Sequence, residues 1–306
     1  MPVDVISIAQ EVQDMVDKFA DKMSPIQKEL YSKVSATLKD LDVDAKGNIK
    51  RTVSNLNKIS SANVQLNSLL NDPRYQKNVA GLKASLEEIA KLQTSMFGEI
   101  ITDFEQPTVI DSAYKQAFKQ VVTDLTETGM NANVLTQANK IVSDGITSGS
   151  SFEEMNTKLK DFLIGNKDID GKLQSYTKQV VSDTLHGASR TYNSIVTEDL
   201  GLKWYRYVGA LVKTSRQWCI ELEHKEWIHE SELGKICRGD IDGKKVSLQG
   251  LMPDTNKENV VNRCGGYNCS HHMVPVPSES VPLRLRQKFE EKEPAKAKTT
   301  IPKRKK

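Results

Sequence analysis

The residues best equipped for chemistry lie together in Asn262-Arg263-Cys264-Gly265-Gly266-Tyr267-Asn268-Cys269-Ser270-His271-His272. Thiolate and imidazole are the donors that zinc selects, and Gly265-Gly266 permits the sharp turn that would bring two sulfurs to one ion. Cys219 and Cys237, or His224, would supply the rest, so the candidate metal set is Cys219, Cys237, Cys264 and Cys269, with zinc as its ion. Against it, no Cys-x-x-Cys pair occurs, and Cys237 and Cys219 stand 27 and 45 residues upstream of Cys264. Two other states stay open: reduced thiols packed as small hydrophobes, and a disulfide formed outside a reducing compartment. His271 and His272 are adjacent, so in a strand they point to opposite faces and at most one serves a given site. His224 and His229 are five apart, which is not the i,i+4 spacing of a helical metal pair. An enzymatic reading would be a zinc-supported nuclease using His271 or His272, or a transferase using Arg216 with Glu221 or Glu223. Either needs a pocket with convergent polar groups. No Walker or Rossmann phosphate loop and no protease signature occurs.

The elements that must hold these residues fall into two textures. Residues 1–200 read as helix after helix. Ile8, Val12, Met15, Phe19 and Met23 mark the first, and Ser24-Pro25 is read as a restart leading to Leu30, Val34, Leu38 and Leu41. Gly47-Asn48 breaks the run. Ile49, Val53, Leu56, Leu66 and Leu70 mark a third helix, ended by Asp72-Pro73. Val79, Leu82, Leu86, Ile89, Met96, Ile100 and Phe104 mark a fourth, stopped before Pro107. Shorter helices are predicted near 111–127, 133–145 and 152–163. The last opens with a capping-box spacing, Ser151 to Glu154. A long helix is predicted over 170–198. The narrow aliphatic stripes fit elongated hairpins or an oligomer seam, with an ordinary bundle as the alternative.

At Gly201 the texture changes. Trp204-Tyr205-Arg206-Tyr207-Val208 is β-prone, and all three Trp residues (204, 218, 227) fall here. The predicted fold is therefore a mainly α region over 1–200, a small α+β domain over 201–277 and a disordered basic tail over 278–306. With 306 residues the chain is long enough for two domains. No apolar run approaches the length needed to span a bilayer, and the N-terminus has no basic-then-apolar signal pattern, so a soluble protein without a secretion signal is expected.

The net charge of +3 is unevenly placed. Residues 1–200 carry 22 Lys and Arg against 27 Asp and Glu, and residues 201–306 carry 21 against 13. Residues 279–306 alone carry 10 against 4. A basic tail on a near-neutral body suggests a polyanion, and Lys296, Lys298, Lys303, Arg304, Lys305 and Lys306 are the expected nucleic-acid contacts. A solvated tail that binds nothing is the plainer alternative.

Three motifs occur in order: Thr214-Ser215-Arg216-Gln217-Trp218-Cys219, then Gly250-Leu251-Met252-Pro253-Asp254-Thr255-Asn256, then Gly265-Gly266-Tyr267-Asn268-Cys269-Ser270-His271 with Pro275-Val276. Together they resemble the C-terminal domain of tailed-phage minor head proteins, the family of phage Mu protein F. The motif residues carried over are Arg216, Cys219, Asn268, Cys269 and His271. Arg190 with Tyr192-Asn193, and the Trp204 strand, are also similar to the family's layout. The resemblance covers about residues 175–277. It departs at Ser270, where the family usually has Arg, and Cys237 and Cys264 lie outside its pattern. It implies a non-enzymatic virion component, enclosed in the capsid near the portal after assembly in the host cytoplasm. The implied partners are the portal protein, scaffold or major capsid protein, further copies of itself, and double-stranded DNA. The implied role is in head assembly and in DNA packaging or ejection.

Overall fold

Apolar residues at three-and-four spacing build most of this chain, and the computed structural model describes residues 5–290. The helices are α1 (Val5–Leu38), α2 (Val53–Asn67), α3 (Pro73–Ile100), α4 (Val109–Thr126), the one-turn α5 (Thr128–Met130), α6 (Thr136–Ser148), α7 (Phe152–Leu163) and α8 (Lys172–Leu200). A π-turn over Asn131–Leu135 joins α5 to α6. Among the described residues before 201, β structure is limited to isolated bridges, Val43 with Ile49, Asn48 with Ser151 and Gly165 with Asp170. The expected helical region and the small α+β C-terminal part are both present, and the strands of the latter are antiparallel.

Four local expectations are corrected. Ser24-Pro25 does not restart a helix, because α1 runs unbroken through Pro25. Proline costs a helix one hydrogen bond. Here Pro25 is exposed, while Met23, Ile26 and Leu30 continue the buried stripe past it. On α2 the buried positions are Asn55, Ala62 and Leu66, whereas Val53 and Leu56 are exposed. A polar residue holds the core face: Asn55 accepts from the Asp42 amide at 2.9 Å and donates to the carbonyls of Asp42 and Lys50 at 2.8 and 2.7 Å. Ser151 makes no side-chain cap on α7. It sits in the bridge with Asn48, and Glu154 pairs with Lys158 instead. The fourth correction concerns residues 278–290, expected without structure, which contain α12 (Leu283–Glu290).

By packing, the described chain divides into two compact units, and the division falls inside α1, α3, α4 and α8 rather than in loops. One unit holds 14–85 and 116–181; the other holds residues up to 13, 86–115 and 182 onward. The first is helical, with Tyr75 fully buried and its hydroxyl donating to the Leu125 carbonyl at 2.6 Å.

The second unit carries the sheet. Its strands are β1 (Trp204–Val208), β2 (Trp227–His229) and β5 (His272–Val276), in the order β2-β1-β5 and antiparallel throughout. A separate two-residue pair is β3 (Asp240–Ile241) with β4 (Lys244–Lys245). Between strands run α9 (Gln217–Lys225), α10 (Leu233–Ile236) and α11 (Val260–Arg263). Alternation sorts β1 onto two cores. Tyr205 and Tyr207 join Trp218, Leu222 and Met273, and Trp204 joins Val276 and Val281 on the other side. Pro275 is tolerated in β5 because β5 is an edge strand. The short α12 adds Leu285 and Phe289 to the Trp204 cluster, with Phe289 edge-on to Trp204 at 5.2 Å. These apolar residues are few, but they recur at i and i+4 on one face, which average composition conceals. Among the described residues, no helix is long and apolar enough to cross a membrane.

Candidate metal centre

Three elements deliver the candidate site. In α9, Trp218, Cys219 and Leu222 form the buried face, and the Trp218 indole donates to the Ile236 carbonyl at 3.0 Å. That bond fixes the helix roll, and with it the direction of Cys219. Cys269 lies in the loop after α11, and His271 directly precedes β5. The Cys219 and Cys269 sulfurs and a ring nitrogen of His271 lie within 4.8 Å of one another. All three residues are buried, at 2%, 3% and 4% exposure. Nδ1 of His271 is 3.7 Å from the Cys269 sulfur, and its ring stacks on Tyr207 at 5.3 Å between centroids.

The expected four-cysteine set is thus not the one assembled. Cys219 and Cys269 meet, with His271 as the third donor, and Cys237 and Cys264 stay outside the group. Cys264 is buried, but its thiol turns to the Val261 carbonyl at 3.5 Å. Cys237 packs half-buried at the edge of the same apolar core. His224 is exposed at the end of α9. Gly265 does more than turn the chain: a Cβ there would stand 2.6 Å from the Cys219 sulfur and 2.8 Å from that of Cys269. Only glycine leaves the two sulfurs room to share this space.

The electrostatics separate the two thiols. The S–H of Cys219 donates to Cys269, which pushes the Cys219 thiol up; burial adds to this. The same hydrogen bond holds Cys269 well below the usual thiol range, against its burial, with help from His271 and the nearby Arg190 guanidinium. Burial pushes Cys264 up to about 12 and Cys237 up to about 11. Tyr207 is raised well above the phenol range, first by burial and then by the Cys269, Cys219 and Cys264 sulfurs. Its hydroxyl faces the Cys219 sulfur and has no oxygen or nitrogen partner.

A polar spine from α8 braces the site. Arg190, 3% exposed, donates to the carbonyls of His186 (3.0 Å), Asn262 (3.4 Å), Arg263 (3.1 Å) and Cys269 (2.8 Å). One guanidinium thus satisfies carbonyls on both sides of the Cys264–Gly266 turn. Asn193 donates to the Met273 carbonyl at 3.3 Å and accepts from Gln93 at 2.9 Å. His271 and His272 part as adjacent strand residues should. His272 turns to α8, with Nε2 at 2.9 Å from His186 Nδ1 and Nδ1 at 3.1 Å from the Ser189 hydroxyl. Burial holds His272 well below the usual imidazole range. Arg216 precedes α9 and donates to the Tyr267 carbonyl at 2.5 Å. The backbone amide of Asn268 donates to Asp183 at 2.7 Å. The nucleic-acid contacts expected at Lys296, Lys298 and Lys303–Lys306 lie outside the described residues.

His186, Ser189 and Gln93 had no place among the expected site residues. Their signal was a polar stripe, His186, Ser189, Arg190 and Asn193, at three-and-four spacing on a helix. Such a stripe normally faces water, so only burial gives it meaning. Neither a family model, nor a curated protein, nor a solved structure matches this chain.

Proposed function

We propose that this chain is a minor head protein of a tailed bacteriophage. In this reading it is a virion component that binds the portal vertex, assists head assembly and DNA packaging or delivery, and contacts DNA. The carrying observation is convergence. Arg190 and Cys269, 79 residues apart in sequence, meet through a 2.8 Å hydrogen bond beside Cys219 and His271. Residues that form the resemblance are thus also residues that build one core, as expected of motifs inherited together in one domain. Zinc is the cofactor whose chemistry suits the donors of that core.

A structural role is also favoured over an enzymatic one by burial. A nucleophile or hydrolytic metal must meet substrate, and His271 and His272 are 4% and 1% exposed. Two of the residues of a transferase reading are occupied too, Arg216 by the Tyr267 carbonyl and Glu221 by Lys244. Co-expression with the portal protein from the same genome tests the proposal. A stoichiometric complex that survives size-exclusion chromatography is expected. No complex at micromolar concentrations, together with metal-dependent plasmid cleavage that His271→Ala abolishes, would replace this reading with the nuclease.

A further inference from the structure

We infer that Cys219, Cys269 and His271 form a structural zinc site, with the Tyr207 hydroxyl as its fourth polar neighbour. The inference rests on the donors and their immediate surroundings and holds whether or not the chain belongs to a virion.

The first ground is spacing. Zinc–sulfur bonds of about 2.3 Å and zinc–nitrogen bonds of about 2.0–2.1 Å at tetrahedral angles put a sulfur and a nitrogen about 3.6 Å apart. Cys269 and His271 already stand at 3.7 Å. All three donors lie within 4.8 Å, so one ion gathers them with side-chain shifts of about 1 Å. The second ground is charge. Two thiolates and a neutral imidazole cancel the charge of a divalent ion, so the filled site is neutral in a place with almost no solvent. Each proton still on the two sulfurs leaves to solvent as the metal–sulfur bonds form, and no oxidant is needed. Two sulfurs and a nitrogen select zinc over magnesium or calcium, which take oxygen ligands.

The third ground is independent of the donors. Tyr207 is 2% exposed, and its hydroxyl faces the Cys219 sulfur, a weak partner, with no oxygen or nitrogen to pair with. Buried hydroxyls are rarely left so. With zinc in place, the hydroxyl either takes the open tetrahedral position or holds the water that does. The Gly265 backbone closes the remaining side, against both sulfurs.

The test uses the full chain, purified from zinc-supplemented cells and dialysed against metal-free buffer. Elemental analysis is expected to find about one zinc per chain. Cys237→Ser keeps the zinc, and Cys269→Ser loses it. Cobalt exchanged into the wild-type protein is expected to show thiolate-to-metal absorption in the near ultraviolet and four-coordinate bands in the visible. This decides the matter should Cys269→Ser fail to fold. Tyr207→Phe is expected to keep the stoichiometry and bind about 10–100-fold more weakly. Three results overturn the site: no zinc above background in the wild-type chain, equal zinc in Cys269→Ser, or a Cys219–Cys269 disulfide found by intact mass and peptide mapping. Should the wild-type chain hold no zinc and still form the portal complex, the site falls and the virion reading stands.

Discussion

Gly265 and Arg190 show how much of the site depends on single residues. A methyl group at 265 would meet two sulfurs at 2.6 and 2.8 Å, both fixed by packed elements. Gly265→Ala is expected to destabilise by about 1–3 kcal/mol through overpacking. At Gly187, within α8, a methyl group would point into open space, with nothing within 4 Å. Gly187→Ala is therefore expected to stabilise by about 0.5–1 kcal/mol, the ordinary helical preference for alanine. Urea titration of both variants checks the pair, and equal effects would discount the sulfur contact. Arg190→Lys keeps the charge but loses the planar fork, leaving carbonyls of the Asn262–Cys269 loop without donors. A loss of about 3 kcal/mol is expected by the same titration.

At the scale of elements, the helix ends carry the local logic. Asp72 caps α3, accepting from the amides of Arg74 at 2.8 Å and Tyr75 at 3.3 Å, with Pro73 at the first helical position. Asp72→Ala is expected to cost about 1 kcal/mol in thermal or urea unfolding. The Arg74 side chain is the main cause holding the Asp72 carboxyl down at about 2, from an ordinary 3.8. A depressed carboxylate contributes stability that is present above its unfolded value and lost as pH falls through the folded one. The Asp72 contribution should therefore be constant above about pH 5 and fade between about pH 4 and 2, and Asp72→Asn should flatten that part of the profile. The end of the described chain makes a second case. Phe289 lies against Trp204 and, at 4.7 Å, against His229. Phe289→Ala is expected to cost about 1–2 kcal/mol and to shift Trp emission to the red.

For the whole molecule, the relevant quantity is the distribution of charge along the chain. Residues 291–306 carry seven Lys and Arg against two Glu. Removing them spares α12, and hence the packing of Phe289 and Leu285. The shortened chain is expected to keep its unfolding midpoint and bind duplex DNA more weakly. The slope of log affinity against log salt should flatten in proportion to the number of phosphates that the tail neutralised. An unchanged slope in a fluorescence-anisotropy titration would assign DNA contact to another surface or to none. A deletion from 279 would be a different experiment, because it removes Val281, Leu285 and Phe289 from an apolar cluster.

What the sequence by itself determined was the helical region, the Trp204 strand and the divergence of His271 and His272. Each follows from local rules: periodicity sets which residues share a helix face, and alternation sets that His271 and His272 diverge. What only the tertiary structure decided was which polar residues are buried. Asn55, Arg190 and His186 look like solvent-facing residues in any local window, because burial depends on elements distant in the chain. Pro25 misled for the same reason, since a proline ends a helix only when packing does not hold the helix together across it. The site followed the same division. Sequence could nominate four sulfurs, but the direction of each depends on the roll of α9 and the turn at Gly265. Those directions put His271 in the set and turned Cys264 to the Val261 carbonyl.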